Sequence, residues 1–392
     1  MLIHKGFKYR LEPNKSQLNN LVLFAGHNRA VWNKALSINK DKLEHNQPLL
    51  WYHELVWNMT HLWKKSEEFS WLNEAPSQTL QQTLKQFDRA LRDSFDKKQN
   101  KQFPKFKKKG VRDSFLIPQK FKVEKNRIYL PKLGWVKFRK SREVQGKMRS
   151  VTVKRHGKHW FISILCEIEI QEPVHSSTSA VGVDRGVKTL AACSDGKNYI
   201  GVRPLQKYER QIAKAHRVLS RKVKFSNNWY KQKEHIGKIH SKVTNVRKDN
   251  LHKVSTEICK NHAVVIMEKL NVQRMLERKH GWKCKKVKSN LNKYILDAGW
   301  STFADMVEYK QRCNGGFVEY VPAAYTSQRC SKCSYVDESN RTTQSKFKCL
   351  KCGHSDNADF NASKNILAAG HVVLACGVDA TATTMKQELV VV

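Results

Sequence analysis

The sequence predicts a multidomain, mixed α/β protein, and three observations carry that reading. The chain has 392 residues, enough for two or three domains with ordinary hydrophobic cores. Residues 121–170 alternate apolar and polar side chains with a period of two, whereas the flanking regions have helical spacing or mix strands with helices. Two C-x2-C pairs near the C-terminus, Cys330/Cys333 and Cys349/Cys352, add a small module of metal-binding type.

Charge narrows the partners. The chain carries 73 Lys and Arg against 34 Asp and Glu, a net +39 that exceeds what solubility needs and points to a polyanion. Nucleic acid fits best. A membrane surface also attracts cations, but no segment approaches the ~20 apolar residues of a spanning helix. The start, Met1 to Arg10, lacks the apolar run of a signal peptide. The expected location is the cytosol, with nucleoid association.

The elements follow in order. Leu18, Leu21, Ala25, Asn28, Trp32 and Ala35 have helical spacing with one polar interruption, which predicts a helix over Lys15 to Leu36. A second helix, Ser77 to Phe95, aligns Leu80, Leu84, Phe87, Leu91 and Phe95 on one stripe, with Ser77 as its N-cap after Pro76. Its other face carries Gln78, Gln81, Gln82 and Lys85, either a solvated face or, with Ser77, a set of nucleic-acid contacts. Residues 97–110 then alternate cations with Phe103 and Phe106. Lys105, Lys107, Lys108 and Lys109 there suit a phosphate backbone, although a plain basic linker would look similar. The period-two stretch reads as short antiparallel strands forming a small barrel.

A linker of serines and proline, Glu172 to Ser179, opens the mixed region. There a strand over Ala180 to Ala192 turns at Ser194-Asp195-Gly196 into a second strand. One or two basic helices span Leu205 to Asn261, and an apolar parallel strand runs from His262 to Glu268. A helix from Leu291 to Arg312 and a strand from Gly316 to Val321 complete it.

Three carboxylates stand out. Asp184 lies in Val-Gly-Val-Asp-Arg-Gly, where the flanking glycines would let a phosphodiester approach; a turn aspartate is the plainer alternative. Glu268 ends an apolar strand, where an acid is costly unless paired, metal-bound or exposed to water. Asp359 opens a helix and could simply cap it, although Asp356 is better placed for that role. Delivered by two strands and a following helix, the three could converge in an RNase-H-like sheet and hold divalent ions for phosphodiester hydrolysis.

The cysteine pairs are separated by fifteen residues, the spacing of two zinc knuckles with tetrahedral thiolate coordination; redox pairs or disulfides would share the pattern. Cys166, Cys193, Cys259, Cys284, Cys313 and Cys376 read as small buried hydrophobes.

Together the motifs Val-Gly-Val-Asp184-Arg-Gly-Val-Lys, Ile-Met-Glu268-Lys-Leu, the cysteine tetrad and Asn-Ala-Asp359-Phe-Asn-Ala-Ser-Lys-Asn-Ile resemble the TnpB (OrfB) family of insertion sequences. Pro76-Ser-Gln-Thr-Leu-Gln-Gln82 and Phe103-Pro-Lys-Phe-Lys-Lys-Lys109 are also similar, so the resemblance spans roughly residues 5 to 370. It implies an RNA-guided DNA endonuclease related to compact type V CRISPR effectors. Base pairing with a transposon-derived guide RNA would select a double-stranded DNA target, beside a short motif read by the protein.

The implied layout has a wedge-type β-barrel at 1–12 and 103–172 and a helical recognition lobe at 13–102. An RNase-H-like (RuvC) nuclease would occupy 179–325 and 355–370, interrupted by a zinc ribbon at 326–354 and followed by a tail at 371–392. Asp184, Glu268 and Asp359 would hold catalytic Mg2+, in a pair of ions, and Cys330, Cys333, Cys349 and Cys352 a structural Zn2+. No protein oligomer is implied. A transposase using the same core, or a non-catalytic nucleic-acid-binding regulator, are the alternatives.

Overall fold

The structure, a computed structural model, describes residues 1–391 except 100, 112, 278–284 and 377–389. The chain divides into two compact units, the first built on Met1–Ile170 together with Glu388–Val392 and the second on Gln171–Gln387. Among the described residues no helix is long and apolar enough to cross a membrane.

The first unit combines strands β1 (Leu2–Glu12), β2 (Ser114–Ile117), β3 (Lys122–Glu124), β4 (Arg127–Leu130), β5 (Gly134–Arg139), β6 (Lys147–His156) and β7 (His159–Glu169) with helices α1 (Lys15–Glu44), α2 (Tyr52–His61) and α3 (Ser77–Phe95). The strands pair antiparallel in the order β2, β6, β7, β1, β5, β4, β3, with a short strand at Val390–Val391 alongside β1. The N-terminal strand thus sits mid-sheet. The strand expected at Phe121 is β3, and the sheet gains an earlier strand, β2, that the alternation did not predict. Phe7 and Leu11 of β1, Leu21 of α1, Leu84 and Phe87 of α3, and Val151 and Ile162 of the sheet belong to one buried cluster, so helices and sheet share a core.

Two local expectations change here. Helix α1 runs on to Glu44, and its polar interruption is a packing device. Buried Asn28 donates to the Phe24 carbonyl and to Thr79 Oγ1 of α3, while Thr83 Oγ1 donates back at 2.6 Å. Ser77 is the first residue of α3, not its cap. Pro76 holds the cap position, and Ser77 Oγ instead accepts from Lys64 Nζ at 2.7 Å.

The second unit is built on strands β8 (Ala180–Asp184), β9 (Thr189–Cys193), β10 (Asn198–Ile200), β11 (Val264–Glu268) and β12 (Phe317–Val321), in the order β10, β9, β8, β11, β12. β8, β9 and β10 form an antiparallel meander, whereas β11 lies parallel to both β8 and β12. The single strand expected over 180–192 is therefore two, broken where Arg185-Gly186 turns. Helices α4 (Pro204–Ser220) and α5 (Asn227–Asn261) form a long hairpin before β11. α6 (Val272–Leu276), α7 (Lys285–Ala298) and α8 (Trp300–Asn314) follow it. The helix expected over 291–312 splits because Gly299 takes a left-handed φ of 70°, which ends α7 and starts α8.

One sheet face, Val181, Val183, Val265 and Met267, packs on Leu251, Val254 and Ile258 of α5 and on Phe303 and Val307 of α8. The other face receives α9 (Ala358–Cys376), whose Ile366 packs with Ile266 and Val321. Between β12 and α9 lies a small module with strands β13 (Lys346–Lys348) and β14 (Ser355–Asn357). Cys166, Cys193 and Cys259 are buried as expected, but Cys313 is exposed on the last turn of α8. Cys284 and the side chain of Cys376 lie outside the described residues.

Candidate active site and cysteine module

The strand register brings the first two carboxylates together. β11 pairs with β8 as Val264 to Ala180 through Met267 to Val183, so Asp184 and Glu268 follow as neighbours at the same end of adjacent parallel strands. Asp184 shares a sheet face with Gly182, since alternate residues of a strand point the same way. That is the face α9 covers.

Gly182 explains how α9 comes so close. A Cβ there would lie 2.2 Å from the Ser363 carbonyl oxygen and 2.6 Å from the Leu367 nitrogen, both on the helix. Gly370 makes the reciprocal accommodation, with Ile266 side-chain atoms 2.2 Å from its hypothetical Cβ. The glycine before Asp184 therefore admits a helix rather than a phosphodiester, and the glycine after it, Gly186, serves the β8–β9 turn against the Thr189 carbonyl. The helix so admitted carries Asp359 in its first turn. Asn357, not Asp356, caps it, Oδ1 accepting from the Asp359 amide at 2.9 Å. Asp356 pairs instead with Lys364.

The electrostatics report the convergence. Burial first, and then the charges of Glu268 and Asp359, raise the Asp184 carboxyl to about 7. Arg341 and the Arg185 amide pull it down. Glu268 is also raised by burial, against the lowering effects of a hydrogen bond from Thr326 Oγ1 and the charge of Arg185. Asp184 feels the charge of both other carboxylates, a repulsion that a divalent cation would relieve.

Cations from two directions already face them. Arg341, in the cysteine module, lies 3.8 Å from Asp359. Arg185, the residue after Asp184, is buried, donates to the Glu268 carbonyl and approaches the Trp300 carbonyl at 3.5 Å, leaving Nε without a partner. Thr326 and Arg341 carry no sequence signal of these contacts, because each reaches its partner from a loop without periodicity.

The cysteine module is compact. The Sγ atoms of Cys330, Cys333, Cys349 and Cys352 all lie within 4.8 Å of one another, with Cys330 to Cys352 at 3.7 Å and Cys333 to Cys349 at 3.5 Å. Zinc–sulfur bonds of about 2.3 Å in a tetrahedron would set sulfurs roughly 3.8 Å apart, so these four fit a Zn2+ ion. Among the described residues the carboxylates do not close to the 4.8 Å spacing that the thiols reach.

Buried asparagines fasten this module to α9. Asn365 Nδ2 donates to the Thr326 and Arg329 carbonyls at 2.9 and 2.7 Å. Asn361 Nδ2 donates to Arg329 at 2.8 Å and its Oδ1 accepts from the Ser331 amide at 2.9 Å. The asparagines of the motif around Asp359 are thus the mount of the cysteine loop.

The expected nucleic-acid contacts lie in the first unit. Gln78, Gln81 and Gln82 are half-buried on α3, and Ser77 and Lys85 are exposed. Lys105, Lys108 and Lys109 are exposed, but Lys107 folds its Nζ over the Trp32 ring at 3.6 Å, and burial lowers its pKa to about 8. Asn33 brackets its backbone in both directions.

A carboxylate-bearing α/β sheet crossed by a helix, with a four-thiolate module inserted between them, is the arrangement the sequence leads one to expect of a nuclease with a zinc-ribbon-like element. A family profile described as "Probable transposase" (OrfB, IS605 type) matches residues 163–279, and a "Cas12f1-like, TNB domain" profile matches 300–366. A "Helix-turn-helix domain" profile matches 1–48, although those residues fold as one strand and one long helix. The chain is 44 % identical over 380 residues to "Putative RNA-guided DNA endonuclease InsQ" of Escherichia coli K12, covering 95 % of this chain and 94 % of that protein. It is 24 % identical over 217 residues to the CRISPR-associated endodeoxyribonuclease Cas12f1 of Sulfoacidibacillus thermotolerans, covering 53 % of this chain and 49 % of that protein. A solved structure of CasPhi-2 bound to crRNA aligns at a TM-score of 0.47 with 10 % identity, over 93 % of this chain and 97 % of that one. The chain belongs to the TnpB (OrfB) family of insertion-sequence proteins.

Proposed function

We propose that this protein is an RNA-guided DNA endonuclease that cuts its target by metal-dependent phosphodiester hydrolysis. The observation that carries the reading is the parallel register of β8 and β11, which ends at Val183 and Met267 so that Asp184 and Glu268 come next on neighbouring strands, together with the charge of Asp359, in the first turn of α9, acting on Asp184. The strand order β10, β9, β8, β11, β12, with the first three strands antiparallel and the rest parallel, supports an RNase-H-like core. The relatives named as RNA-guided DNA endonucleases, and the net charge of +39, support a guide RNA and target DNA as partners.

Asp184, Glu268 and Asp359 would hold Mg2+, which supplies charge stabilisation and an activated water for in-line displacement when bound. The chain's own residues prepare that site. Thr326 fixes one oxygen of Glu268, and Arg185 ties the Glu268 main chain to the turn after β8. Arg341 stands beside Asp359, where its guanidinium can meet charge building on a scissile phosphate. Cys330, Cys333, Cys349 and Cys352 would hold a structural Zn2+ with no open position, leaving catalysis to the carboxylates.

In the first unit, the α3 face of Gln78, Gln81, Gln82 and Lys85, with Ser77, is proposed to read the short DNA motif beside the target. The exposed Lys105, Lys108 and Lys109 would steer phosphates, and Lys107 would brace that segment through Trp32.

The test uses the full chain purified with its guide RNA and a plasmid target. Asp184→Ala should retain RNA and bind target DNA but not cut it. Cutting at the wild-type rate would remove Asp184 from the mechanism, and joined transposon ends formed without RNA would favour a transposase.

A further inference from the structure

The α4–α5 hairpin leaves the sheet of the second unit and ends in a turn that the catalytic reading does not use. The hairpin has a small core of its own, with Ala215, Ile236 and Ile239 buried against Ile212 and Leu219. Gln232 Nε2 ties the start of α5 to the Ala215 carbonyl, and Ser226 Oγ caps α5 by accepting from the Trp229 amide. The turn is therefore held by packing on one side and by a capped helix on the other.

What this scaffold presents is an aromatic surface set in positive charge. Phe225 is 65 % exposed and Tyr230 52 % exposed, with half-buried Trp229 between them at ring distances of 5.5 and 5.2 Å. Phe225 has a φ of 71°, a left-handed conformation that a bulky side chain rarely adopts, and its ring stays largely exposed in that turn. Lys224 lies over the Phe225 ring and Lys233 over the Trp229 ring, at 5.3 and 5.0 Å. Residues 221–233 hold five cations, Arg221, Lys222, Lys224, Lys231 and Lys233, and no carboxylate.

Exposed rings among cations suit a ligand with flat apolar faces and phosphates. Every nucleobase offers a face for stacking, but in a duplex that face is occupied by its neighbours. Folded RNA, in contrast, carries loops and bulges whose bases are open to aromatic side chains. We propose that this hairpin tip docks the guide RNA, with an unpaired base stacked on Phe225 and Tyr230 and the flanking phosphates held by the cations of the turn. The inference rests on the guided reading given above and adds to it a specific point of attachment.

The experiment compares the full chain with its Phe225→Ala/Tyr230→Ala variant, both purified with co-expressed guide RNA. Both rings are exposed, so the variant should keep the wild-type melting temperature. Nucleotide-resolution chemical probing of the bound RNA should find one or a few unpaired bases protected by the wild type and reactive in the variant. Affinity should fall roughly tenfold while the rest of the footprint persists. A Lys222→Glu/Lys224→Glu variant should also flatten the dependence of binding on salt. An unchanged footprint and affinity in the aromatic variant would overturn the tip proposal alone. Absence of any defined RNA from the wild-type protein would overturn the guided reading beneath it. Loss of binding to anionic phospholipid vesicles, with RNA binding intact, would also overturn the tip as an RNA site.

Discussion

The second unit holds four cysteines and three carboxylates for which metal binding is proposed, and the two sets differ in how far the fold has assembled them. The four thiols stand at the spacing of a tetrahedral ion. The three carboxylates share one sheet end but stay apart, and Asp184 is pushed up to about 7 by burial and by its two neighbours. A structural site closes on its ion as part of folding, whereas a catalytic site keeps charges that only a cation and substrate will bring together. The two roles proposed above follow that difference.

The sharpest way to break that contrast is to remove one member of each cluster. Asp184→Asn should lower cleavage by on the order of 10²- to 10³-fold, the usual loss when one charge-stabilising group leaves a site, while melting temperature holds or rises. Cys330→Ser should do the opposite in kind. Elemental analysis should find zinc lost, and the melting temperature should fall, because the metal's binding energy is folding energy there. Zinc retained at one per chain in that variant would end the assignment.

A third substitution probes what brings the carboxylates together. Gly182→Ala would set a Cβ 2.2 Å from the Ser363 carbonyl oxygen, so α9 must move away. The expected cost is about 1–3 kcal/mol in denaturant unfolding, with cleavage reduced by displacement of Asp359. Thr326→Val should be milder, with cleavage down about tenfold at low Mg2+ and less at high Mg2+, as for loss of an outer hydrogen bond to a ligand. An unchanged Mg2+ dependence would detach Thr326 from the site.

The smallest effect is one of pH. The usual carboxyl value for Asp184 is 3.8, and in the fold it is raised to about 7, so the folded chain binds this proton more tightly than the unfolded chain. Its contribution to the stability of the ion-free protein is therefore full below about pH 4 and is lost as pH rises toward 7. Added Mg2+ favours the ionised form, so the Mg2+-induced rise in melting temperature should be larger at pH 8 than at pH 5. Equal rises at both would mean that the buried carboxyl does not meet the ion.

Much of this was legible along the chain. The apolar run before Glu268, the helical stripe over Ser77 to Phe95 and the cysteine spacing each have a local periodic or spacing signature, and each became the element it suggested. The failures came where a residue's neighbour is set by tertiary contact. Gly182 looked like room for a ligand because a glycine does not say what approaches it, and what approaches is α9. Asn28 looked like a flaw in a helix because its partners, Thr79 and Thr83, lie fifty residues away on α3. Thr326 and Arg341 were silent for the same reason, since a loop side chain carries no pattern until its target is known.

The mount formed by Asn361 and Asn365 links the two clusters through one helix, because the turns that hold the cysteine loop are the next turns after Asp359. If the proposed ions bind, tightening of that loop would bear on the neighbouring acid through this helix, and any such coupling is reciprocal. On the proposed assignments, loss of zinc would weaken magnesium binding as well as the fold that holds it.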